Sequence, residues 1–279
     1  MELGKYNTLT IVRHTSVGFF LEDENGDDVL LPVKWVPEGA KEGDEVEVFI
    51  YLDSEERPIA TTMKPKAIVG EFAYLKAKQV SRIGAFMDWG LEKDLFVPFI
   101  EQEGRMQEGQ WYIVYVYIDK MTDRIAGSAK IENFVEKRDI MLKPDQAVSL
   151  LIGKQTPLGY NVIVDNQYLG LIYENEIFKN VSTGDRTTGY VKNIREDDKI
   201  DIILQKPGYA AVEPNAQRIL EILKANDGYL DLNDKSDPDE ISRRLEMSKK
   251  TFKKAIGGLF RQKLITIEDD GVRLVRSFS

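Results

Sequence analysis

The residues best suited to chemistry in this 279-residue chain are aromatic and basic side chains set at fixed distances from glycines. Phe20 and Phe86 each lie two places after a glycine, and Tyr173 falls in a third occurrence of the same pattern. Arg57, Arg124, Lys154, Lys192 and Lys199 lie near them in the repeat. An aromatic ring exposed on a sheet stacks on an unpaired base, for roughly 1–3 kcal/mol and without a sequence code, while basic side chains hold phosphates. The competing account of Phe20 and Phe86 is burial, because strand alternation sends every second side chain inward. A further basic group, Lys250, Lys254 and Arg261, is spaced by four and seven residues. On a helix that spacing stacks three charges on one side, opposite an apolar face of Phe252, Ile256 and Leu259. Gly257 shares the basic side, where a ligand backbone could come close. An ordinary solvated face would look the same.

Other chemistries find little support. There is no cysteine, and His14 is the only histidine, so thiolate zinc, His-pair zinc and cysteine nucleophiles are excluded. The acidic stretch Glu22–Asp28 has its glycine at the wrong place for an EF-hand loop, and no Walker-type phosphate loop occurs. A non-catalytic protein without cofactor or metal is expected. The first residues lack an apolar core of signal-peptide length, and no run reaches the ~18 apolar residues of a membrane helix. A cytoplasmic protein with no membrane partner is therefore expected. Net charge is −9, yet it is uneven: residues 1–66 carry −7, 67–140 carry −2, 141–211 carry −1, and 212–279 carry +1. A phosphate-facing surface should lie beyond the first 66 residues.

The elements that must carry these side chains can be read from periodicity. Aligning Gly18, Gly84 and Gly159 brings Pro32, Pro98 and Tyr173 into register fourteen residues on, and Gly43, Gly109 and Gly184 twenty-five residues on. Alternating β-branched and aromatic runs such as Tyr112–Val116 follow each second glycine. Three equally spaced blocks of short strands indicate three small barrels. The tail changes to a helical period. Ile219, Ile222 and Leu223 share one helical face; Asp237 before Pro238 caps a second helix; Ser248 caps a third. The stretch Leu264–Val275 reads as a hairpin, which completes a winged helix-turn-helix. The expected architecture is multidomain and mainly β. Three tandem OB-fold barrels (1–66, 67–140, 141–211) precede a small α/β winged-helix domain (212–279).

The repeats resemble the S-one RNA-binding domain. The second repeat carries the resemblance at Gly84-Ala85-Phe86, Glu108-Gly109, Asp119 and Arg124. The first does so at Gly18-Phe19-Phe20, Gly43-Asp44, Asp53 and Arg57, and the third at Gly159-Tyr160, Gly170-Leu171-Ile172-Tyr173 and Gly184-Asp185. The family's histidine is replaced by Pro32, Pro98 and Tyr173, and its first exposed aromatic by Val17, Ile83 and Leu158. The Asp register slips in the third repeat, where Ile194-Arg195 stand. Three such repeats before a winged helix resemble the conserved virulence factor B family of bacterial RNA-binding proteins, most specifically over Gly170–Phe178 and Ser248–Gly257. That resemblance implies binding of RNA, single-stranded in an OB-fold, with an effect on gene expression. Two other readings stay open: a DNA-binding regulator led by the winged helix, and a scaffold whose acidic first repeat docks a protein partner.

Overall fold

The computed structural model describes residues 1–177, 180–205, 214–261 and 264–275. The first barrel is built from β1 (Tyr6–Thr15), β2 (Gly18–Glu22), β3 (Asp28–Pro32), β4 (Glu45–Leu52) and β5 (Pro58–Thr61), closed in the order β1-β2-β3-β5-β4. The second uses β6 (Phe72–Val80), β7 (Gly84–Asp88), β8 (Leu95–Pro98), β9 (Trp111–Asp119) and β10 (Arg124–Ser128). The third uses β11 (Ala147–Thr156), β12 (Gly159–Val164), β13 (Tyr168–Tyr173), β14 (Arg186–Ile194) and β15 (Ile200–Ile203), and it closes as the first does. In the second, β8 and β10 meet without a ladder hydrogen bond. A side chain at Gly127 would come 2.9 Å from the Val97 side chain, so side-chain packing closes this seam.

The two glycines of each repeat have different physical reasons. Gly18, Gly84 and Gly159 open the second strand opposite Pro32, Pro98 and Tyr173. A Cβ there would lie 2.1, 2.4 or 1.9 Å from the carbonyl oxygen of Leu31, Val97 or Ile172, so only hydrogen fits. Gly43, Gly109 and Gly184 adopt φ of +92°, +81° and +96°, which favours glycine. Each donates its N–H at 2.8 Å to the first strand of its own barrel, at Ile11, Ala77 or Ile152. A bulge follows each of those residues and bends the strand into the barrel. The twenty-five-residue spacing is thus the distance needed for the turn before the fourth strand to clamp the bulge of the first.

Apolar clusters cross the barrel junctions. Phe49 and Tyr51 of β4 are buried in one cluster with Trp89, Leu91 and Val114 of the second barrel, and Phe49 meets Trp89 edge-on at 5.8 Å. Phe72 and Ile113 pack against Leu151 and Ile163 of the third barrel. Asn166 seals that junction, accepting from the Phe72 N–H at 2.9 Å and donating to Gly70 O at 2.7 Å.

The C-terminal part comprises α1 (Pro214–Ala225), β16 (Tyr229–Leu230), α2 (Pro238–Leu245), α3 (Lys249–Arg261), β17 (Ile265–Ile267) and β18 (Val272–Leu274), with sheet order β16-β18-β17. Its core joins Ile219, Leu223, Ile241, Phe252, Ile256 and Leu259 in a separate cluster. The caps form as the sequence indicates. The Asp237 side chain accepts from the Asp239 and Glu240 N–H groups, and Ser248 Oγ accepts from the Thr251 N–H at 3.1 Å. The expected division at 211/212 and Phe178 both lie outside the described residues. No helix among the described residues is long and apolar enough to cross a membrane.

Candidate nucleic-acid interface

One local design recurs on all three barrels. A hydroxyl at the end of the first strand donates to the carbonyl of the glycine opening the second: Thr15 to Gly18 at 2.8 Å, Ser81 to Gly84 at 3.2 Å, Thr156 to Gly159 at 3.0 Å. The tight turn between these residues pushes one apolar side chain into solvent. Val17, Ile83 and Leu158 are 59%, 65% and 62% exposed. These replace the resemblance's exposed aromatic in place and in exposure, though not in ring chemistry. On the same strand Phe20 and Phe86 are half-buried, on the outer face, with the inward positions taken by Leu21 and Met87. The third barrel has Asn161 at that position, and Tyr173 is half-buried on the neighbouring strand β13.

Each aromatic already has company. The Arg13 guanidinium lies 4.2 Å from the Phe20 ring centroid. Phe86 packs against Phe96 at 5.2 Å across the β7–β8 pair. Tyr173 Oη accepts from Arg195 Nη2 at 2.9 Å, while Arg195 Nε donates to Asp201 at 3.0 Å. Arg195 explains the register slip of the third repeat. Its N–H bonds the Lys199 carbonyl as the Asp53 N–H bonds the Arg57 carbonyl, so an arginine holds the hairpin position where the first barrel has aspartate. In the first two barrels the aspartate organises the turn. Asp53 Oδ1 accepts from the Glu55 and Arg57 N–H groups at 2.8 and 3.0 Å, and Asp119 Oδ1 accepts from Met121 and Thr122. Burial works against the Asp53 charge, but these bonds and the Arg57 guanidinium hold its carboxyl below the usual range.

The basic candidates separate by their neighbours. Arg57 is bound by Asp53 and Glu55, Lys192 by Glu176, and Lys199 by Asp197 at 2.8 Å. Arg124 faces Glu56 of the first barrel at 3.2 Å. Lys154, Lys250, Lys254 and Arg261 are exposed and have no ion-pair partner among the described residues. The last three lie on the solvent side of α3, opposite buried Phe252, Ile256 and Leu259. A Cβ on Gly257 would meet nothing within 4 Å, so the helix backbone is bare beside the stripe. The intervening Lys253 instead turns to Asp234 at 3.7 Å, and Lys249 donates to Ser236 O at 2.7 Å.

An open cleft of about 500 Å³ lies on the outer face of the second barrel where it meets Tyr51 and Glu56 of the first, lined by Ile83, Phe86, Phe96, Ile100, Lys93 and Arg124. Lys93 escaped the sequence reading because it stands in the β7–β8 loop, outside the repeat pattern. Its backbone is fixed there by Trp89, whose Nε1 donates to Lys93 O at 2.6 Å. Phe96 could have been found from strand alternation, since it pairs directly with Phe86. No group of three or more His, Cys, Asp or Glu placed to hold a metal occurs among the described residues.

OB barrels in tandem with a winged helix, with exposed apolar and basic side chains on their outer faces, define a multidomain protein of nucleic-acid-binding modules. The first barrel matches the S1 domain over residues 3–63, and the tail matches the CvfB-like winged helix domain over residues 217–274. The chain is 31% identical to the uncharacterized protein YitL of Bacillus subtilis, over 94% of this chain and 90% of that one. It is 25% identical to conserved virulence factor B of Staphylococcus epidermidis, over 98% and 95%. A crystallised multidomain protein with nucleic acid binding domains from Streptococcus pneumoniae is similar at 25% identity, with 98% of each chain covered and a TM-score of 0.45. The chain belongs to the conserved virulence factor B family.

Proposed function

We propose that this protein binds single-stranded RNA in the cytoplasm, without catalysis, and that it influences gene expression through that binding. The observation that carries the reading is the threefold recurrence of an exposed apolar residue at Val17, Ile83 and Leu158, in the turn before the second strand of each barrel. Unpaired bases gain from apolar surface, whereas the bases of a duplex are already stacked. In this reading Phe20, Phe86 and Tyr173 contact bases, and Arg124, Lys154, Lys192, Lys199, Lys250, Lys254 and Arg261 contact phosphates. The working units are residues 1–66, 67–140, 141–211 and 212–279. Competition at one salt concentration among single-stranded RNA, single-stranded DNA and duplex DNA tests it. Preference for the RNA strand is expected. Preference for duplex DNA would give the function to the winged helix instead.

A further inference from the structure

The hairpin turn between β4 and β5 of the first barrel reaches the outer face of the second. Asp53 holds this turn by accepting from the Glu55 and Arg57 N–H groups, and the turn aims Glu56 across the junction. Glu56 Oε1 accepts from Lys93 Nζ at 3.1 Å, and Oε2 lies 3.2 Å from Arg124 Nε. Lys93 Nζ also donates to Asp53 O at 2.7 Å. Both cations border the cleft of Phe86, Phe96, Ile83 and Ile100, whose lining also includes Asp119 and the Lys78-paired Asp94. A carboxylate therefore sits between two cations at the lip of this cleft.

The Glu56 backbone takes an uncommon conformation. Glu56 has φ of +63°, a region that non-glycine residues enter uncommonly and where Asn and Asp are enriched. The matching turn positions of the other two barrels, Asp123 and Asp198, have φ of +55° and +57° and carry the shorter acid. In the first barrel the longer side chain is kept in the less favourable conformation, and it spans to Lys93 and Arg124. Its Oε2 is buried and meets Arg124 as an ion pair without hydrogen-bond geometry.

We propose that the cleft between the first two barrels is a single-nucleotide site whose phosphate position is occupied, in the free protein, by the Glu56 carboxylate. This rests on the RNA reading above. A strand entering the cleft stacks one base against Phe86 and Phe96, and its phosphate displaces Glu56 from Lys93 and Arg124. The acidic first barrel is thus a gate on the second barrel: a phosphate must displace the Glu56 carboxylate from Lys93 and Arg124 before the strand is seated.

The test is titration of the full chain with a fluorescently labelled oligouridine at several salt concentrations. Glu56→Gln is expected to tighten binding roughly three- to tenfold, as two partly exposed cations are freed. It should also steepen the dependence of log affinity on log salt by about 0.7, the worth of one single-strand phosphate contact. Adding Phe86→Ala to that variant should cancel the gain. If Glu56→Gln does not fold, Glu56→Gly serves in its place, because glycine accepts the positive φ without strain. Unchanged affinity and slope in a folded variant, with the parent binding normally, would overturn the gate and leave the RNA reading intact. Absence of binding by parent and variant alike would overturn both.

Discussion

Among single residues, the sharpest constraint falls on the glycine that opens each second strand. Gly84 has a Val97 carbonyl oxygen 2.4 Å from where a Cβ would stand, with Phe96 and Pro98 closing the other sides. Backbone cannot yield as a flexible side chain does, so Gly84→Ala should destabilise by about 1–3 kcal/mol. Gly18→Ala and Gly159→Ala should do the same, read as shifted urea midpoints. Gly104→Ala, with nothing within 4 Å, is the neutral comparison. Asp53 is a second residue-scale case. Its carboxyl is held low in the folded state despite burial, by the bonds from Arg57 and Glu55. A depressed carboxylate contributes stability that is complete above its unfolded pKa, about 3.9, and is lost as pH falls through the folded value. The urea midpoint of the parent should therefore fall on acidification below about pH 4. In Asp53→Asn that part of the slope should disappear, while the neutral-pH midpoint is lowered.

At the level of the element, α3 separates two jobs by face. Phe252, Ala255, Ile256 and Leu259 are buried, while Lys250, Lys254 and Arg261 stay exposed and unpaired among the described residues. If the stripe touches phosphate, replacing all three with alanine should weaken binding without sequence preference. It should flatten the slope of log affinity against log salt by up to about 2. The helix should persist, because alanine is the best helix former and none of the three is in the core. An unchanged salt slope in a folded triple variant would remove α3 from the interface and leave the barrels to carry it. The neighbouring Lys249 and Lys253 are poorer probes, being engaged by Ser236 and Asp234.

Over the whole molecule, the junctions decide which parts unfold together. The first and second barrels share one apolar cluster through Phe49, Tyr51 and Trp89, whereas the winged helix has a cluster of its own. Removing residues 1–66 would therefore bare Trp89 and Leu91, and the charge of the first barrel is better tested by point substitutions than by deletion. Phe49→Ala should cost about 3–5 kcal/mol. In calorimetry it should lower the barrel transition and leave that of the winged helix in place. A common shift of both transitions would show that the tail depends on the barrels for its stability.

The amino-acid sequence by itself determined the repeat and the tail. The Gly18, Gly84 and Gly159 series and the Gly43, Gly109 and Gly184 series are legible because each glycine answers a local demand, a carbonyl in contact or a positive φ, that other residues meet only with strain. Asp237, Ser248 and the α3 stripe are legible because caps and helical faces span only a few residues. Tertiary structure alone decided which cations remain available. Arg124 looks like Lys250 in sequence, yet it faces Glu56, and Lys192 faces Glu176. Lys93 and Glu56 are 37 residues apart and belong to different barrels. No periodicity links such a pair, because their meeting depends on how one barrel packs on the next through Phe49 and Trp89. Charge is written in the sequence, but its neutralisation is a matter of distance in space.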